Sequence, residues 1–191
     1  MSASKIHPLR LPLHLPLALS RVDRAAHLRV DDLALAQMWE KASIIHFNGE
    51  KFLTHEDGSL HFLPHTQLVD GERYFLGVDE SDNPYFLFHS RMQFGAETNY
   101  RNLREATLDE LQIGLAVHAQ ALALWHARHP HCSKCGGETR PALGGSIRKC
   151  VVDETEHYPR TDPAIIVLTR DKSDRILLGR QAVWPEHRFS T

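Results

Sequence analysis

Three cysteines in one short stretch, Cys132, Cys135 and Cys150, restrict the folds open to this chain more than any other feature. Cys132 and Cys135 are separated by two residues, a spacing at which two thiolates bind one zinc ion. Gly136 follows directly, and a glycine there permits the tight turn that aims backbone amides at the sulfur atoms. Cys150 comes 15 positions after Cys135, which is typical of ribbon-type zinc sites. The spacing therefore predicts a zinc ribbon.

The fourth zinc ligand is left open by the sequence. Cys150 would be the first member of a second Cys-x2-Cys pair, and Asp153 stands at the position of the second member. A carboxylate binds zinc less often than thiolate or imidazole does. His131 and His157 are alternative donors. A ribbon that has lost its metal and is held by packing is a further possibility. In each case Gly144-Gly145 is expected to turn the hairpin that returns Cys150 to the first pair.

Composition limits the class of protein. The chain has 191 residues, 42% of them hydrophobic and 24% charged, which is ordinary for a globular protein of one or two domains. A net charge of −2 gives no basic field for nucleic acid or anionic lipid. The leucine-rich start is interrupted by Pro8, Pro12 and Pro16, so we expect an extended segment, no membrane span and no membrane partner. Clustered cysteines in odd number favour a reducing, cytoplasmic location over a disulfide framework, and they disfavour a Cys132–Cys135 disulfide.

The hydrophobic pattern predicts an α+β fold. Residues 20–42 have helical spacing, which Asp31-Asp32 can break in two. Short strand patterns follow from 43 to 90, the first two flanking Asn48-Gly49, and predict an antiparallel sheet. Further strands are expected over 164–169 and 175–180.

A second helix is predicted over 108–128. Thr107 and Glu110 match a capping box, with Thr107 as the N-cap. One face of this helix carries an apolar stripe that we expect to pack in the core: Leu108, Leu111, Leu115, Ala119, Leu122 and Trp125. His129-Pro130 should end it, because the residue before proline disfavours helical dihedrals.

From Trp125 onward the chain has an ordered set of residues: Trp125, Cys132, Cys135, Gly136, Cys150, Tyr158, Pro159, Arg160, Asp162, Pro163 and the strand pattern AIIVL. In this order they resemble the NADH pyrophosphatase branch of the Nudix hydrolases. Over 1–105 the resemblance is architectural only. It implies a Nudix-like N-terminal α/β domain over 1–105, a linking helix and zinc ribbon over 106–157, and the first strands of a Nudix α/β/α sandwich over 158–191.

The resemblance also implies a function. Members of this branch hydrolyse the pyrophosphate bond of NADH or NAD⁺ to AMP and nicotinamide mononucleotide, and removal of an NAD cap from RNA is a related activity. The implied zinc site is structural and comprises Cys132, Cys135, Cys150 and Asp153, while Mg²⁺ or Mn²⁺ serves catalysis. Tyr158 matches a tyrosine that lines the substrate pocket, although an ordinary buried tyrosine at a domain junction is the alternative. A homodimer is also implied.

Two departures from the family pattern matter. Asp153 replaces the last ribbon cysteine, and the Nudix signature G-x5-E-x7-R-E-U-x-E-E-x-G-U, in which U is an apolar residue, does not occur in these 191 residues. We therefore expect the catalytic carboxylates beyond Thr191 and an inactive fragment. An alternative function is a non-enzymatic ribbon that binds nucleic acid or protein through Arg140, Arg148 and Lys149. No Ser-His-Asp or Cys-His spacing supports a different hydrolase.

Overall fold

Two long apolar runs, in residues 43–47 and 84–89, form neighbouring strands at the centre of a sheet. The computed structural model describes residues 20–160 and 167–190, with Thr98 described by its backbone only. It divides into two units, residues 1–159 and 160–191, which are described separately below. The predicted extended start and Asp162-Pro163 lie outside the described residues.

In the described part of the first unit, one sheet has the strand order β4-β5-β1-β2-β6, and β3 pairs with β1. Its strands are β1 (Ser43–Phe47), β2 (Phe52–Leu53), β3 (Phe62–Leu63), β4 (Glu72–Val78), β5 (Pro84–His89) and β6 (Tyr100–Arg101). The prediction of a purely antiparallel sheet is wrong, because β1 and β5 are parallel with Ile45 opposite Leu87. β4 and β5 form an antiparallel hairpin, and β1 lies between β5, to which it is parallel, and β2, to which it is antiparallel.

Both faces of this sheet are buried, which explains why its central strands are almost continuously apolar. In β4, for example, Tyr74 and Leu76 face one hydrophobic cluster while Phe75 faces the other. Helix α1 (Asp32–Trp39) covers the second face. The predicted break before it is confirmed: a 3₁₀ helix over Ala26–Val30 precedes α1, and Asp31 caps α1 by accepting from the Ala34 amide.

Helix α2 (Glu110–Arg128) covers the first face. Its N-cap is Asp109 and not Thr107, because the Asp109 carboxylate accepts from the Gln112 amide at 2.8 Å while the Thr107 amide bonds to Gly58. The apolar stripe packs in the core largely as predicted, but Trp125 is only half-buried and the stripe ends instead with buried His126.

A second, three-stranded sheet follows α2 in the described residues of this unit. It consists of β7 (Thr139–Ala142), β8 (Ile147–Cys150) and β9 (Glu156–His157), in that order and antiparallel. Gly144-Gly145 turns the β7–β8 hairpin as predicted. The fold is therefore α+β, with α2 between the two sheets in sequence. Whether 105 marks a domain boundary stays a prediction, since α2 packs directly on the first sheet.

In the second unit, residues 160 and 167–190 are described, and they consist of turns with isolated bridges. Arg170 pairs with Ile176 and Gly179 with Ser190, so within residues 167–190 the strand predicted over 175–180 makes isolated bridges and no ladder. A strand requires a continuous neighbour, and these residues offer partners at single positions only. Residues 164–166 of the other predicted strand lie outside the description.

Candidate metal centre

The first cysteine pair lies in a tight turn that begins at Cys132, four positions after α2 ends at Arg128. The Cys132 amide donates to the Gly137 carbonyl at 2.7 Å, and the Gly136 amide donates back to Cys132 at 2.9 Å. Gly136 has φ +75°, a conformation that L side chains rarely adopt. The amide of Lys134 lies 3.4 Å from Cys132 Sγ, and that of Gly137 lies 3.4 Å from Cys135 Sγ. The turn thus directs N–H dipoles at both sulfurs, which favours thiolates.

The third cysteine ends β8 and begins a similar turn. The Val152 amide lies 3.4 Å from Cys150 Sγ, and the Cys150 amide donates to the Thr155 carbonyl. Asp153 is fixed in this turn because its Oδ1 accepts from the Thr155 amide at 3.1 Å. Two turns of the same design therefore face each other across the ribbon.

The side chains of Cys132, Cys135, Cys150 and Asp153 converge, and we call them the ribbon cluster. One ligand atom from each lies within 4.8 Å of all the others. Cys135 Sγ is 3.5 Å from Cys150 Sγ, and Cys132 Sγ is 3.8 Å from Asp153 Oδ1. A tetrahedral zinc ion with Zn–S bonds of about 2.3 Å separates two sulfurs by about 3.8 Å, and a sulfur from an oxygen by slightly less. The observed spacings fit such an ion.

Asp153 supplies independent support for a cation. Its Oδ2 is buried and accepts no hydrogen bond from the described residues, although Lys134 Nζ lies 3.6 Å away. A buried carboxylate oxygen without a donor is costly. Three sulfurs and one carboxylate oxygen form a donor set that zinc accepts. The residues present therefore fit a zinc ion.

The acidities of the cluster differ from one residue to the next. The backbone amide of Cys135, with that of Lys134 and the His157 ring, lowers the pKa of Cys132 to about 7. The Asp153 backbone amide favours the Cys150 thiolate, but burial, the Asp153 carboxylate and the Cys135 sulfur outweigh it and raise the pKa of Cys150 to about 11. The Cys150 thiol and the Thr155 amide hold the pKa of Asp153 far below its usual range. An ionised carboxylate beside an acidic thiol suits a cation.

The structure separates the alternatives for the fourth position. His157 Nε2 lies 3.3 Å from Cys132 Sγ, so this ring contacts one sulfur, but it does not join the group of mutually close ligand atoms. His131 is exposed and pairs in an isolated bridge with Glu138. Asp153 is the residue that completes the cluster.

The aromatic position after the ribbon is open to solvent. Tyr158 is 58% exposed, and its hydroxyl donates to the Glu156 carboxylate. Whether this residue lines a substrate pocket or is buried at a domain junction stays a prediction, because Tyr158 lies next to the boundary between the two units. The hydrogen bond to the Glu156 carboxylate raises the pKa of Tyr158.

A buried polar seam, missed by the sequence analysis, joins the ribbon to the first sheet. Arg148 on β8 is 6% exposed and donates to Thr139 Oγ1, to the Thr139 carbonyl and to His126 Nδ1, at 2.7, 2.6 and 3.0 Å. His126 Nε2 donates to the Gly145 carbonyl at 2.7 Å, and its ring stacks on Tyr74 with centroids 4.2 Å apart. We call Tyr74, His126, Thr139, Gly145 and Arg148 the seam.

Two consequences follow from the seam. Arg148 cannot belong to a surface patch with Arg140 and Lys149, so the basic cluster behind the nucleic-acid alternative is broken. His126 had a signal in the sequence: it lies four residues after Leu122 and seven after Ala119, and so continues the apolar stripe.

Comparison with known proteins gives a consistent result. Residues 127–158 match the family model for the NADH pyrophosphatase zinc ribbon domain. NAD-capped RNA hydrolase NudC of Mycobacterium tuberculosis, and its counterpart from Mycobacterium bovis, are 32% identical over 184 residues, covering 90% of this chain and 58% of the relative. Mouse mitochondrial NAD(P)H pyrophosphatase NUDT13 is 35% identical over 103 residues, covering 53% of this chain and 29% of the relative.

The chain thus spans 58% of the length of the mycobacterial proteins it matches. Among the described residues, no helix combines the length and the apolar character needed to cross a membrane.

Proposed function

Because the chain is a relative of the NADH pyrophosphatases, a branch of the Nudix hydrolases, we propose that it forms the N-terminal and zinc-ribbon part of an enzyme that hydrolyses the pyrophosphate bond of NADH or NAD⁺. The products are AMP and a nicotinamide mononucleotide. NAD-capped RNA contains the same pyrophosphate bond and is a second proposed substrate. The observation that carries the proposal is the ribbon cluster, lying within the segment that matches the family ribbon.

The zinc ion in this proposal is structural. Four protein ligands, Cys132, Cys135, Cys150 and Asp153, leave no open position at which a substrate could bind. The ion would fix the two facing turns of the ribbon to each other. It takes no part in the reaction.

Tyr158 is proposed as a substrate-binding residue. Its ring is exposed and lies directly after β9, so one face is accessible to a planar ring of a dinucleotide. Stacking of a base on an aromatic side chain contributes about 1–3 kcal/mol. The hydrogen bond from its hydroxyl to Glu156 fixes the direction of the ring.

The chemical step requires groups outside these residues. Bound Mg²⁺ or Mn²⁺ would supply charge neutralisation on the pyrophosphate oxygens. The carboxylates that bind such ions in a Nudix signature do not occur in the 191-residue sequence. We therefore propose that the chain alone is inactive, that a longer chain acts as a homodimer, and that the location is cytoplasmic.

The test compares the 191-residue chain with a chain extended through the remainder of its reading frame. Each is incubated with NADH, NAD⁺ or NAD-capped RNA and with Mg²⁺ or Mn²⁺, and AMP or the uncapped RNA is quantified. We expect hydrolysis by the extended chain only. In the extended chain Tyr158→Ala should raise KM about tenfold, whereas the matched Tyr158→Phe keeps the ring and should change it little. Light scattering measures its oligomeric state.

Two results contradict the proposal. One is turnover by the 191-residue chain after contaminating hydrolases have been excluded. The other is an extended chain that folds and binds zinc but releases no AMP from any of the three substrates.

A further inference from the structure

We propose that the ribbon cluster is also a site of oxidative modification, at which peroxide converts Cys135 and Cys150 to a disulfide and releases the zinc ion. The inference rests on the zinc site of the proposed function and goes beyond it. It concerns what this particular three-sulfur cluster does when an oxidant reaches it.

The two sulfurs are already close and differ in accessibility. Cys135 Sγ and Cys150 Sγ are 3.5 Å apart, so a disulfide of about 2.05 Å needs an approach of roughly 1.5 Å. Cys135 is exposed, while Cys132 and Cys150 are 4% and 2% exposed. A peroxide in solution therefore meets the Cys135 sulfur first, and Cys150 is positioned to resolve the product.

Cys132 is the less suitable partner because its sulfur is engaged elsewhere. Cys132 Sγ lies 3.3 Å from His157 Nε2, a contact that the other two sulfurs do not make among the described residues, and 3.8 Å from Asp153 Oδ1, to which the Cys150 thiol also bonds. It is buried and does not meet the oxidant first, and although its sulfur also interacts with that of Cys135, the Cys150 sulfur lies 3.5 Å from Cys135 without a histidine contact. It is the thiol that we expect to remain reduced.

The chemistry balances with peroxide as the only co-reactant. The Cys135 thiolate attacks one peroxide oxygen, the O–O bond breaks, and sulfenic acid and hydroxide form, the hydroxide taking a proton from solvent to become water. The Cys150 sulfur then attacks the Cys135 sulfur, the S–O bond breaks, and the second oxygen leaves as water. The two thiolates have lost two electrons to one hydrogen peroxide, and two protons from solvent complete the two water molecules.

Metal release follows from the ligand count. A disulfide between Cys135 and Cys150 leaves one thiolate, Cys132, and one carboxylate, Asp153. A ribbon with four cysteines would retain two thiolates after the same step. Since thiolates are the stronger zinc ligands of this set, the three-sulfur cluster loses its ion after a single oxidation.

The sequence permits a direct test, because trypsin places each cysteine in its own peptide. Cleavage yields residues 129–134 with Cys132, 135–148 with Cys135 and 150–160 with Cys150, the bond before Pro141 resisting the protease. The zinc content of the purified chain is first measured by native mass spectrometry. Hydrogen peroxide is then added, released zinc is followed with a chromogenic chelator, and free thiols are alkylated before digestion without reductant.

We expect one zinc ion released per disulfide, and a cross-linked peptide with the summed mass of 135–148 and 150–160 less two hydrogen atoms. The peptide 129–134 should be alkylated. Reductant with added zinc should restore the loaded chain. Asp153→Cys, with a fourth thiolate, should release zinc more slowly than the parent, whereas Ser133→Ala, an exposed change between two ligands, should match the parent.

Other outcomes overturn the inference in distinguishable ways. A chain that holds no zinc before peroxide refutes both this inference and the zinc assignment of the proposed function. A zinc-loaded chain that keeps its metal while the cross-link forms refutes the inference alone, as does a cross-link that involves Cys132 or joins two chains.

Discussion

The seam predicts that Arg148 stabilises the folded chain far more than its strand position suggests. Replacing Arg148 with alanine removes donors from Thr139 Oγ1, from the Thr139 carbonyl and from His126 Nδ1, all of them buried. Three charge-assisted bonds at about 1.5–3 kcal/mol each give a gross scale of about 4.5–9 kcal/mol. The guanidinium no longer has to be desolvated, which offsets part of the loss, so we expect about 2–4 kcal/mol.

The assay is urea unfolding of the zinc-loaded chain, followed by tryptophan fluorescence and circular dichroism. Arg140→Ala is the matched control, since that side chain is 72% exposed on the neighbouring strand and lies 3.6 Å from Glu138. Exposed ion pairs of this kind contribute about 1 kcal/mol or less. Arg148→Lys keeps the charge but cannot reach both Thr139 and His126. Its loss of unfolding free energy should therefore lie between those of Arg140→Ala and Arg148→Ala.

A result in which Arg148→Ala unfolds at the same urea concentration as Arg140→Ala would show that the buried guanidinium is not a net stabilising group. Should Arg148→Ala fail to fold at all, Thr139→Val removes one acceptor of Arg148 together with the hydrogen bond from Thr139 Oγ1 to the His129 carbonyl, and should still lower the midpoint.

Three further predictions follow from the same geometry. Asp153→Cys should tighten zinc binding and Asp153→Ala weaken it in a chelator competition; unchanged affinity in both would show that this carboxylate does not contact the metal. Gly145→Ala should destabilise strongly, since Gly145 has φ +85° and a Cβ there would lie 2.4 Å from the Tyr74 ring, whereas Gly136→Ala, which faces open space, should cost about 1 kcal/mol in the same urea assay. Burial lowers the pKa of His46, His118 and His126 to about 4. Between about pH 6.5 and 4 the unfolded chain therefore binds more protons than the folded chain does. The stability that is present above pH 6.5 is lost as the pH falls, by up to about 1.4 kcal/mol per pH unit for each histidine. Urea midpoints that stay level from pH 7.5 to 5.5, measured in chelator to remove metal effects, would contradict this.

The zinc ribbon could be predicted from sequence because its determinants are local. Cys132, Cys135 and Gly136 specify one turn, Gly144-Gly145 specifies the hairpin, and the hairpin alone returns Cys150 to the first pair. Asp153 was identified by position in the pattern. That it lies in the cluster, whereas His131 and His157 do not, depends on the dihedral angles of the turn after β8, which residue types do not fix.

The interactions that could not be predicted are those between distant segments. The parallel pairing of β1 with β5 joins residues more than 40 positions apart, and apolar runs such as SIIHF and YFLFH are compatible with either direction. The predicted N-cap of α2 was Thr107 and the observed one is Asp109, since both residue types can cap a helix. The tertiary hydrogen bond from the Thr107 amide to the Gly58 carbonyl places Thr107 before the helix. Arg148 was assigned to the surface because arginine usually lies there.

The ribbon has two supports, and they should fail separately. The metal would hold the turns at 132–137 and 150–155, where the amides of Gly137 and Val152 point at sulfur. The seam holds β7 and β8 against α2 and the first sheet without any metal ligand. Removal of zinc by chelator should therefore increase hydrogen exchange at the turn amides and leave the β7–β8 amides protected. Equal loss of protection in both regions would mean that the seam depends on the ion, and that zinc release and undocking of the ribbon are one event.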